Sequence, residues 1–160
     1  MTDCPVRVYI EIEKDSNKKY ELNKSNGSLE LDRTLPYPYY YPCAYGFIEN
    51  TLAMDDDELD AVIITSKALK NDEWYDTYII GVLIMSDEKG LDEKIICVLK
   101  EDYNLINDIS LISDEIIDNI HWFFTNYKNK SPGKWSHVDG FQNKEEAIKI
   151  YNKSRLAVIV

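Results

Sequence analysis

The chain has 160 residues, 44% of them hydrophobic and 29% charged, the proportions of a folded globular protein rather than a disordered one. That length accommodates one core and is too short for two ordinary domains, so a single domain over residues 1–160 is expected. The formal net charge of -11 argues against nucleic acid as a partner, because phosphodiester binding draws on clustered Lys and Arg. An acidic protein still binds a compact polyanion if metal ions sit between the two. Cys4, Cys43 and Cys97 are odd in number and lack CxxC or Cys/His ligand spacing, so neither a disulfide framework nor a zinc site is indicated. No basic-then-apolar leader opens the chain and no apolar run reaches spanning length, so no membrane partner and a cytoplasmic location are expected.

Val6, Val8, Ile10 and Ile12 alternate with Arg7, Tyr9, Glu11 and Glu13, the period of a half-buried strand with the glutamates on its polar face. Lys19 to Leu22 and Ser28 to Leu31 flank Asn26-Gly27, a hairpin signal. Tyr37 to Gly46 is rich in Tyr and Pro and reads as extended, irregular chain. Ala61 to Thr65, Ile79 to Met85 and Lys94 to Leu99 read as buried strands. Ser113 caps a predicted helix with Ile116, Ile120, Phe123, Phe124 and Tyr127 on its core stripe. Asn143 with Glu146 opens a second helix as a capping box. Strands first and helices last predict an α+β, mainly β fold, a small barrel with helices packed outside it.

The acids cluster. Asp55-Asp56-Asp57-Glu58-Leu59-Asp60 precedes one predicted buried strand, and Asp87-Glu88 with Asp92 follows another. Loops at strand ends hold site residues on a rigid scaffold. Packing carboxylates together costs Coulomb repulsion unless cations offset it, and an oxygen-rich, sulfur-free set suits magnesium, manganese or calcium. An EF-hand is excluded, since Leu59 falls where a ligand belongs and the sixth position is not glycine. A solvated acidic loop is the plainer reading of the run by itself.

Tyr41-Pro42-Cys43-Ala44-Tyr45-Gly46-Phe47-Ile48 followed by Asp55, Asp57 and Asp60 resembles the signature of soluble type I inorganic pyrophosphatases, a D-x-D-x-x-D triplet after a Tyr-Pro-x-x-Tyr-Gly stretch. The similarity runs from Val8-Tyr9-Ile10-Glu11-Ile12 to Gly133-Lys134-Trp135. It implies a small OB-like closed β-barrel with flanking C-terminal helices, and hydrolysis of pyrophosphate to two orthophosphates with several Mg2+ ions, Mn2+ or Zn2+ being substitutes. It further implies that Asp55, Asp60, Asp87, Asp92 and Glu11 are metal ligands and that Asp57 is the general base. Lys19, Arg33, Tyr45, Tyr127 and Lys128 are implied to bind and activate substrate, with Glu21, Tyr41, Glu88 and Lys94 supporting them. No Ser or Cys nucleophile is needed.

Asp56 stands where the family usually has Gly, Glu58 where it has Pro, and Ala44 where it has Asn. Lys70 to Tyr75 replaces a Pro-Gly turn. His121 and His137 are read as structural or exposed. Two rival readings are a non-catalytic cation- or polyphosphate-binding relative and a hydrolase of another phosphoanhydride. Trp122 projects opposite the core stripe, beside Asp118, Thr125 and Asn129. Tryptophan is enriched at interfaces, and similar short-chain enzymes assemble as oligomers, so a homo-oligomer, a hexamer by resemblance, with Trp122 at a subunit contact is expected. The apolar ending Leu156-Ala-Val-Ile-Val is a second candidate contact.

Overall fold

Val8, Ile10 and Ile12 are buried in β1 (Pro5–Ile12) while Arg7 is exposed and Glu11 half-buried, the expected alternation. Tyr9 departs from it, being buried on the other face against Phe47 and Trp74. The computed structural model describes residues 3–54 and 57–156. The hairpin is β2 (Lys18–Asn23) and β3 (Ser28–Thr34), a separate two-stranded sheet. Its turn places Gly27 at φ 75°, a left-handed conformation that suits glycine.

Next come β4 (Ala44–Ile48), β5 (Asp60–Ile63), β6 (Glu73–Asp87), β7 (Gly90–Leu91) and β8 (Lys94–Leu99). They pair as β1–β4, β4–β5, β5–β8, β8–β6 and β6–β1, so five strands close a ring, the small barrel that was expected. Closure removes sheet edges that would otherwise be open. β5 and β8 run parallel, and residues of both are buried on both faces. Ala61, Ile63, Ile95 and Cys97 join one apolar cluster, and Val62, Ile64, Ile96 and Val98 the other. Strands covered on both sides need continuous apolar runs, which these segments have.

β4 corrects the reading of Tyr37 to Gly46 as wholly irregular, since regular strand begins at Ala44. A Cβ on Gly46 would lie 1.6 Å from the Tyr9 carbonyl oxygen. Only glycine allows β4 to approach β1 this closely. β6 likewise begins earlier than expected, at Glu73, inside the segment read as a replaced turn.

Helix α1 (Asp114–Asn126) is capped by the Ser113 side chain, which accepts from Ile116 N–H, and α2 (Lys144–Ser154) by Asn143, which accepts from Glu146 N–H. Ile120, Phe123, Phe124 and Tyr127 are buried as expected. Ile116 is not; it is 39% exposed, and Ile117 packs on the core in its place. Ile116 lies at the far edge of the stripe in the first turn, where it borders an open cleft with Trp122 and Tyr40. A further strand, β9 (Ser136–Asn143), pairs along β6 and was not expected from its polar sequence. Among the described residues no helix is long and apolar enough to cross a membrane, and the three cysteines are unpaired thiols.

Candidate active site

The parallel register sets Asp60 beside Lys94 at the starts of β5 and β8. Neighbouring positions in register point to the same side of a sheet, so carboxylate and ammonium meet there. Lys94, only 2% exposed, donates to Asp60 Oδ2 at 2.6 Å, to Asp92 at 3.0 Å and to the Tyr45 hydroxyl at 2.9 Å. Burial opposes its charge, but Asp60, Tyr45 and Asp92 outweigh that and hold its pKa well above the ordinary value. Burial pushes the Asp60 carboxyl up to about 6, with Lys94 pulling it down and Asp92 adding repulsion. Burial keeps the Tyr45 phenol protonated.

At the end of β6 a second ammonium repeats the arrangement. Lys128, just beyond α1, donates to Asp87 Oδ2 at 2.8 Å and to Glu88 Oε2 at 3.2 Å. Burial would raise the Asp87 carboxyl, but Lys128 and the Lys89 N–H bring it below its usual value. Trp135 N–H donates to Glu88.

These groups line one cavity of about 170 Å³, together with Glu11, Lys19, Glu21, Arg33, Asp57 and Tyr127. Lys19 donates to Asp32 at 2.9 Å. The Arg33 Nη1 makes a long 3.5 Å contact with Ser131, and its Nε is a buried polar atom without a hydrogen-bond partner. Tyr41 lies outside the lining, buried behind Tyr45 with ring centres 5.3 Å apart and 4.6 Å from Phe123. Its contact with the cavity runs through Tyr45. Asp57 is lowered in pKa because the hydrogen bond from Glu58 and the charge of Lys24 outweigh its burial. Asp55 and Asp56 lie outside the described residues.

Seven further lining residues were not anticipated as part of the site, namely Ile12, Tyr20, Lys24, Phe47, Glu58, Lys89 and Lys134. Lys134 belongs to the Gly133-Lys134-Trp135 stretch already matched, whereas Lys24 sits in a hairpin turn, where a lysine reads as simple solubility. His121 and His137 are exposed and away from this lining.

Glu11 supplies a pH test. Its Oε2 accepts from Leu22 N–H at 2.9 Å, yet burial, with repulsion from Asp60 and Glu21, pushes it from 4.5 up to about 7. The folded protein therefore holds this proton more tightly than the unfolded chain. The stability it contributes is full below about pH 4.5 and is lost as pH rises toward 7. In chelator, the melting temperature of the wild type is expected to fall relative to Glu11→Gln across that window, by about 1–3 kcal/mol in stability. Parallel melting profiles would contradict the shift.

The family model for inorganic pyrophosphatase matches residues 8–158. The inorganic pyrophosphatase of Helicobacter pylori (strain ATCC 700392 / 26695) is 42% identical over 151 residues, 92% of this chain and 87% of that one. That of Buchnera aphidicola is 41% identical over 152 residues, 91% and 84% of the two chains. Among solved structures, an inorganic pyrophosphatase of Helicobacter pylori superposes with a TM-score of 0.91 at 41% identity, covering 94% of this chain and 91% of that one. The Thermus thermophilus structure gives 0.89 at 36% identity, covering 94% and 88%. A match over nearly the whole chain, joined to a closed ring whose strand ends carry the acids, establishes that this chain belongs to the inorganic pyrophosphatase family.

Proposed function

We propose that the chain hydrolyses inorganic pyrophosphate to two orthophosphates as a single cytoplasmic domain, with magnesium as cofactor. The observation that carries this reading is the charge balance of the cavity, where eight carboxylates face seven cationic side chains among the described residues. A compact polyanion entering it would leave a large negative excess unless cations came too. The lining offers carboxylate and phenol oxygens but no thiol or imidazole, a set that fits magnesium or manganese better than softer ions such as zinc. Asp60, Asp87, Asp92 and Glu11 would hold the ions, with Asp55 added on sequence grounds. Among the described residues no three such groups already converge on one point, but each carboxylate keeps lone pairs beyond those Lys94 and Lys128 use.

Magnesium, when bound, would offset substrate charge and lower the pKa of a coordinated water from 15.7 toward about 7. Asp57, held ionised beside Lys24, is the base that takes the attacking water's proton. Arg33 has an unspent donor, and with Lys19, Tyr127 and Lys128 it orients the phosphates and draws charge from the leaving group. The test is phosphate release from pyrophosphate, tripolyphosphate and ATP with magnesium. Release from pyrophosphate foremost is expected. Preference for another substrate would make it a different phosphoanhydride hydrolase, and no release at all would make it a binding relative.

We also propose a homo-oligomer, hexameric by resemblance, with Trp122 at a subunit contact. Trp122 is 48% exposed, and its neighbours Tyr40 and Ile116 are exposed too, an apolar group of the kind that marks interfaces. Leu156, 53% exposed, is a second contact; residues 157–160 of the apolar ending lie outside the described residues. Light scattering should give a multimeric mass for the wild type and a smaller one for Trp122→Ala. A monomeric wild type would sink the assembly, and an unchanged variant would move the contact elsewhere.

A further inference from the structure

The turn joining β2 to β3 reaches the acidic loop that precedes β5, and one side chain makes the connection. The backbone around Lys24 is pinned, with Gly27 N–H donating to Asn23 O at 2.7 Å and Ser25 N–H to Asn23 Oδ1 at 2.9 Å. From this turn the Lys24 ammonium donates to Glu58 Oε1 at 2.6 Å and to Asp57 Oδ1 at 3.5 Å, and it lies 5.6 Å from the centre of the Phe47 ring. The loop is also tied within itself, by Leu59 N–H to the Thr51 hydroxyl at 3.0 Å, Ala53 N–H to Asp57 O at 2.7 Å and Glu58 N–H to Asp57 Oδ1 at 3.2 Å, and to β4 by the Thr51 hydroxyl donating to Ile48 O at 2.7 Å.

The two contacts of Lys24 differ in kind. The Glu58 side chain is 20% exposed and its contact is short, whereas Asp57 is 56% exposed and its contact is long. The first is an anchor and the second a steer. Exposed ion pairs add little to stability, so the consequence of this arrangement lies in where the Asp57 carboxylate is held. We propose that Lys24 is a positioning residue which, anchored on Glu58, holds Asp57 toward the cavity. This rests on Asp57 being the base, as assigned above.

The experiment compares Lys24→Met, Lys24→Arg and Glu58→Gln, and places Lys24→Met also in an Asp57→Asn background, all at saturating magnesium. Misplacing a reacting group by a fraction of an ångström is costly, so Lys24→Met should lower kcat roughly tenfold with KM within about twofold. Its melting temperature should match the wild type. Lys24→Arg, which keeps the charge and both contacts, should recover most of the rate, and Glu58→Gln should fall between. In the Asp57→Asn background the lysine change should add no loss, because two residues acting through one group are not additive. Wild-type kcat in Lys24→Met overturns the proposal. So does a rise in KM alone, which would put Lys24 on the substrate, and so does an additive loss in the double variant. Absence of turnover in the wild type would overturn both this and the hydrolase reading, whereas an active wild type with additive losses overturns only the positioning role.

Discussion

Excess EDTA is expected to bring phosphate release from pyrophosphate to background, and added magnesium to restore it. The reason is electrostatic. Asp60 and Asp92 share the Lys94 ammonium, and Asp87 and Glu88 share that of Lys128, so these cations are committed to the protein's own carboxylates. The cationic side chains cannot offset both these carboxylates and an incoming polyanion without added cations. Calcium should restore activity poorly, because its larger and looser coordination shell does not enforce the octahedral geometry of magnesium. Turnover undiminished in chelator would refute the metal requirement.

Asp57→Asn is the second large effect. The substitution keeps shape and removes the proton acceptor, so kcat should fall by roughly 10²–10⁴-fold. Folding should hardly respond, because the Asp57 side chain is 56% exposed and an exposed pair contributes about 0–1 kcal/mol. A rate near wild type would remove Asp57 from the role of base. A large drop in melting temperature would instead show that the residue holds the loop together.

Legibility of the fold in the sequence tracked how local each signal is. Ser113 and Asn143 marked both helix starts because capping is a contact between residues three apart. β5 and β8 were legible because burial on both faces leaves uninterrupted apolar runs. β9 was not, since Ser136–Asn143 is mostly polar and only Val138 and Phe141 pack on the core; it is a strand because β6 offers it a pairing partner. The start of β4 was hidden by the prolines before it. At the site, the ordered acids were visible through the family resemblance, and the cavity gathers those that are described. Lys24 was not visible, because a lysine in a turn carries no local mark of the carboxylates that folding brings to it. Ile116 misled because a helical stripe records direction and not what faces it, here an open cleft beside Tyr40 and Trp122.

The ring has a consequence for how the protein reaches its fold. Its last seam pairs Val6 with Thr77, residues far apart in the chain, and the hairpin, β4 and β5 all lie between them. Bringing those ends together costs chain entropy before any pairing compensates it. A protein closed by such a seam is rich in long-range contacts, and folding in milliseconds to seconds rather than the microseconds of helical bundles is expected. Until β1 docks, β6 presents an unpaired edge. The two capped helices are local and neither can close the ring, so the meeting of β1 and β6 is the expected slow step in folding.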